Sequence, residues 1–145
     1  MSEPGSTGWS ADPVECGLPH RAPFIFVDRV TALETGKRAC GTKCFSPDEP
    51  FFQGHFPGDP LVPGVILTEA LAQVAGLVVA RPGLRLAAIR SMKFLAPVRP
   101  DESIELKAEQ TGATRGESGA LWLFSVSASV AGRPVAEGAL VLAEG

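Results

Sequence analysis

The stretch Pro63-Gly64-Val65-Ile66-Leu67-Thr68-Glu69-Ala70-Leu71-Ala72-Gln73-Val74-Ala75-Gly76-Leu77-Val78-Val79-Ala80 decides the architecture. Pro63 lacks an N–H and suits the first position of a helix, where no donor is needed. From Val65 to Ala80 apolar residues cover every face, and a helix apolar all round is a buried helix. Arg81-Pro82-Gly83 then ends it, with a cation near the negative end followed by two breakers. Such a helix needs cover on every side, and one curved sheet wrapped around it supplies most of that.

The flanking sequence contains the strands for such a sheet. Upstream, residues 23–27 and 37–45 read as strands. Downstream, residues 86–95, 103–109, 124–130 and 135–142 do so, the second and third alternating polar with apolar residues. Residues 111–119 read as a polar, glycine-containing connection. The pattern is α+β: strands, a central helix, then a run of antiparallel strands. Dimerisation would complete the helix's cover by joining two sheets edge to edge. Residues 1–15, rich in Ser, Gly and Pro, read as a flexible tail, leaving 16–145 as a single domain.

Composition narrows the function. A net charge of −3 argues against general nucleic-acid binding. Three cysteines without a secretory signal suggest the reducing cytoplasm. The apolar helix is too short to span a bilayer and is broken by Glu69 and Gln73. Cys16-x-x-x-His20 and Cys40-x-x-x-Cys44 imitate a zinc set. However, residues four apart on a strand are separated by about 13 Å, so Cys40 and Cys44 cannot share one ion. No metal is expected. His20 reads as a structural residue bonded to a nearby carbonyl.

Two residues carry chemistry. Glu69 is the only ionisable group in the helix before Arg81. A carboxyl taken into a protein interior finds partners or resists ionisation, which suits a proton donor. Gln73 follows one turn later on the same side, placed to bond and orient it. His55 lies in a loop that glycines and prolines stiffen, and imidazole, with a pKa near ~6.5, suits a neutral base. The Gly64 N–H, at the helix start, favours an anion, and glycine there allows close approach. Base, acid and anion site together form an acid/base centre.

Gly54-His55-Phe56-Pro57, Pro63-Gly64 and Glu69-Ala70-Leu71-Ala72-Gln73 resemble the signature of the hot-dog-fold (3R)-3-hydroxyacyl-acyl carrier protein dehydratases. The likeness extends to Leu18-Pro19-His20-Arg21, Val27-Asp28-Arg29-Val30 and Met92-Lys93-Phe94-Leu95-Ala96-Pro97-Val98. It implies a hot-dog fold and elimination of water from a 3-hydroxyacyl thioester to give the trans-2-enoyl thioester. It further implies that His55 of one subunit works with Glu69 of another, in a homodimer or trimer of dimers. The partner would be acyl carrier protein, and no cofactor is needed beyond the phosphopantetheine that the substrate carries. Arg81, Arg85 and Lys93, with Arg90 and Arg99, lie in a span from Ala70 to Pro100 without Asp or Glu, and would steer an acidic carrier.

Departures from the family pattern are the absence of tyrosine, which relatives often place near position 85, and the absence of glycine in the Pro100-Asp101-Glu102 turn. Glu rather than Asp at position 69 leans toward dehydration without double-bond isomerisation. The alternatives are a hot-dog thioesterase, whose product would be a free acid, and a non-catalytic acyl-thioester-binding subunit.

Overall fold

A computed structural model describes residues 10–117 and 119–144. Its elements are β1 (Arg29–Glu34), β2 (Arg38–Cys44), a 3₁₀ turn (Pro50–Gln53), α1 (Gly64–Val79), β3 (Leu84–Phe94), β4 (Ser103–Gly116), β5 (Gly119–Val130) and β6 (Arg133–Glu144). The strands form one antiparallel sheet in the order β1-β2-β4-β5-β6-β3, with α1 packed across it. This is the expected hot-dog arrangement.

The alternation read from sequence is what seats the helix. Ile104, Leu106 and Ala108 of β4, and Phe124, Val126, Ala128 and Val130 of β5, point inward and are buried. Glu105, Lys107, Ser125 and Ser127 between them face solvent. Ala70, Leu71, Val74, Ala75 and Val78 meet the sheet and are fully buried. Each large apolar side chain so enclosed contributes about 1.5–3 kcal/mol.

The opposite face is less covered than the sequence suggests. Val65 is 77% exposed. Pro63 is the N-cap rather than the first helical residue. At the other end Ala80 takes a left-handed conformation, φ 57°, and its N–H reaches the Gly76 carbonyl at 3.4 Å. Asp101 also lies in the left-handed region, φ 68°, which explains why a glycine suits that turn and why Asp is tolerated there.

Three expectations are corrected. Residues 23–27 form no strand, because the Phe26 N–H is taken by the Gln73 side chain instead of a neighbouring strand. The strand lies further on, at β1, where only Val30 is fully buried and alternation is faint. Residues 111–116 are not a loop: they extend β4 against β5 beyond the core, so both faces are largely wet and the two-residue period is lost.

Residues 1–9 of the expected tail lie outside those described. Residues 10–15 are not loose, since Pro13 is buried and the Ala11 carbonyl accepts the Val30 N–H at 2.8 Å.

Candidate active site

Glu69 sits mid-helix, but it is not the enclosed carboxyl that the apolar helix implies. Its side chain is 22% exposed, in the wall of a cavity of about 240 Å³. It shares that cavity with His20, Phe24, Gln73, Arg81 and Arg85. Only a further layer over this face would exclude water from it.

Gln73 is 1% exposed and uses its whole amide. Its Nε2 donates to Glu69 Oε2 at 3.1 Å and to the Phe24 carbonyl at 3.1 Å, while Oε1 accepts the Phe26 N–H at 2.9 Å. The helical spacing of four residues puts donor and carboxyl on one face. Gln73 thus bonds Glu69 and residues 24–26 at once, and it also lines the cavity.

His55 stands elsewhere. Its Nδ1 lies 3.0 Å from the Leu61 carbonyl, and the Leu61 N–H returns to the His55 carbonyl at 3.0 Å. A carbonyl only accepts, so Nδ1 carries a hydrogen, and in the neutral ring Nε2 is the nitrogen with the lone pair. The loop thereby sets the tautomer a base requires, and Phe56 stacks on the ring at 4.0 Å.

His55 lines a second, open cavity with Leu61, Gly64, Leu67, Phe94 and Pro97. The Gly64 N–H has no acceptor among the described residues and stands at the positive end of α1. A Cβ at Gly64 would meet the Phe94 ring at 2.8 Å, so glycine is what lets that ring cover the helix start. His55 and the Gly64 N–H thus share one cavity, and Glu69 lines another.

Sequence reasoning undervalued His20. Its Nε2 stands 3.5 Å from Glu69 Oε2, a proximity that no spacing pattern signals. Cys16, Cys40 and Cys44 are unpaired, and burial pushes the thiols of Cys16 and Cys40 up. Among the described residues no three His, Cys, Asp or Glu side chains converge on a point. No helix there is long and apolar enough to cross a membrane.

The basic set divides. Arg81 pairs with Glu144 at 2.7 Å and lies over the Trp122 ring, and Arg99 pairs with Asp59 at 2.7 Å. Arg85, Arg90 and Lys93 project from β3, exposed and without an ion-pair partner among the described residues.

Gly76 forms part of the floor of the Glu69 cavity, and a Cβ there would find its nearest atom, Leu142 Cδ1, 4.0 Å away. Gly76→Ala is therefore expected to stabilise the helix by about 0.5–1 kcal/mol while narrowing the cavity. Thermal melting should rise, and turnover of long acyl chains should fall relative to short ones.

A single helix held in an antiparallel sheet, bearing a carboxyl and followed around by a loop-fixed imidazole, defines a hot-dog protein equipped for acid/base chemistry. Residues 18–139 match the FabA-like domain. The chain is 45% identical over 130 residues to a 3-hydroxyacyl-[acyl-carrier-protein] dehydratase FabZ of Syntrophotalea carbinolica, covering 85% of this chain and 86% of that protein. It is 41% identical over 133 residues to the protein of that name in Thiobacillus denitrificans, covering 86% and 89%. The chain belongs to the FabA-like family. Among solved structures, the dehydratase heterocomplex ApeI:P of Xenorhabdus doucetiae superposes with a TM-score of 0.72 at 18% identity, over 92% of this chain and 91% of that one.

Proposed function

We propose that the protein dehydrates (3R)-3-hydroxyacyl thioesters on acyl carrier protein to trans-2-enoyl thioesters in fatty-acid biosynthesis. One observation supports it above the rest: the Leu61 carbonyl engages His55 Nδ1, which turns Nε2 free as the basic nitrogen, in the loop that leads into the helix carrying Glu69. His55 Nε2 takes a proton from the carbon beside the thioester. Negative charge moves onto the thioester oxygen, toward the Gly64 N–H. Glu69 gives its proton to the 3-hydroxyl, which leaves as water as the double bond forms. The reaction moves only protons, and the chain supplies both groups. The phosphopantetheine arm arrives with the substrate.

His55 and Glu69 face different cavities of one chain, so the working unit is a homodimer, alone or within a trimer of dimers. The β3 strand is an edge of the sheet, with Ile89, Phe94 and Leu95 exposed on or beside it, and Val65 and Phe56 exposed elsewhere. A long apolar edge left open invites further strand pairing. Pairing two β3 edges covers it and lays one subunit's His55 loop against the other's α1. Unpaired thiols fit a cytoplasmic setting.

Hydration of a crotonyl thioester, followed by loss of enoyl absorbance, tests the activity. Release of free acid instead would make the protein a thioesterase. For the carrier, Arg85, Arg90 and Lys93 supply the unpaired charge, and Arg85 also lines the Glu69 cavity, at the position where relatives often have tyrosine. Reversing Arg90 and Lys93, which stand outside that cavity, to Glu should raise KM for carrier-bound substrate about tenfold at low salt and leave a small thioester unaffected. Equal loss on both substrates would sink the docking role.

A further inference from the structure

Resting on the dehydratase reading above, we infer that His20 is a positioning residue for Glu69, donating with Gln73 to one carboxyl oxygen so that the other oxygen carries the transferred proton.

His20 Nδ1 is buried and has no hydrogen-bond partner. A bare lone pair is the lesser penalty at such a site than an unpaired N–H, so the hydrogen belongs on Nε2. Nε2 is the atom that faces Glu69 Oε2 at 3.5 Å, a separation that closes to a full bond with a small ring movement, as catalytic contacts in unliganded sites commonly do.

The ring is held from outside. Arg21 Nη1 donates to the carbonyls of Leu18 and His20 at 2.9 and 2.8 Å, and Phe24 stacks against the imidazole at 6.0 Å. Gln73 Nε2 already donates to the same Oε2 at 3.1 Å.

An oxygen that accepts two hydrogen bonds has used both lone pairs, so the proton of the neutral carboxyl sits on Oε1. As Oε1 hands that proton to the departing hydroxyl, the charge growing on the carboxylate meets Gln73 already bonded and His20 a small ring movement away. Such preorganised donors act on the transition state more than on the bound substrate. The other charged groups of the cavity are Arg81 and Arg85, and the nearby Arg21 is turned to backbone carbonyls. These three cations stay charged throughout and act alike on every variant.

The test compares His20→Phe, which keeps a flat ring but no donor, with His20→Gln, whose amide reaches as Nε2 does. With crotonyl thioester as substrate, His20→Phe should lower kcat about ten- to a hundredfold with KM within about threefold, and His20→Gln should restore most of it.

Wild-type kcat in His20→Phe would overturn the inference. If His20→Phe does not fold, His20→Asn, polar but too short, replaces it: impairment beside an active His20→Gln supports the role, and equal activity overturns it. An active Glu69→Ala would instead defeat the dehydratase reading itself, whatever His20 does.

Discussion

Mixing His55→Ala with Glu69→Ala protein is expected to restore activity that neither variant has alone. Each substitution removes an acid/base group, and each should cost at least ~10²–10⁴ in kcat for hydration of a crotonyl thioester. Within one chain the two side chains line separate cavities, so the pair is expected across two chains. If each site takes His55 from one subunit and Glu69 from its partner, a mixed dimer holds one site with both residues missing and one with both intact. Random reassortment makes about half the dimers mixed, each with one working site of two, so about a quarter of wild-type activity returns. Activity no greater than the sum of the separate variants would place both groups in one chain's site and refute the pairing across subunits.

Gln73→Leu is expected to injure stability and turnover together. Leucine fits the volume but leaves the Phe26 N–H and the Phe24 carbonyl without the bonds now made at 2.9 and 3.1 Å. Phe26 is 7% exposed, so water does not replace the lost acceptor. The buried Phe26 N–H left unpaired costs about 1–3 kcal/mol, whereas the carbonyl of half-exposed Phe24 can turn to water. At ~2–4 °C per kcal/mol for a domain of this size, a loss of about 2 kcal/mol should lower the melting temperature by about 4–8 °C. Glu69 also loses its bonded donor, so the protein that remains folded should turn over more slowly. A melting temperature within about 2 °C of wild type would show that residues 24–26 are held by something other than this amide.

These two results would separate what each half of the site contributes. His55 owes its tautomer to a bond six residues away in its own loop, a local device. Glu69 owes its orientation to Gln73 on the same helix face, and Gln73 in turn grips a segment 47 residues distant. Local devices leave a mark in sequence: the glycines and prolines around His55, and the four-residue spacing of Glu69 and Gln73. The grip on Phe26 leaves none, which is why residues 23–27 look like a strand. His20 fails to stand out for the same reason. A histidine before an arginine carries no period, and only the turns at residues 13–17 and 21–24 on either side bring it over the helix.

From the residues alone came a central helix apolar on every side, strands before and after it, an acid and a base flanking a helix start, and a resemblance that joined them into one reaction. Tertiary packing decided where those groups stand: acid and base in separate cavities, two of the cations already paired, and His20 beside the carboxyl. Periodicity and loop chemistry are properties of neighbours along the chain and can be read from it. Which distant groups meet depends on how a sheet curves around a helix and on which edge it leaves open, and that is settled only when the whole core packs.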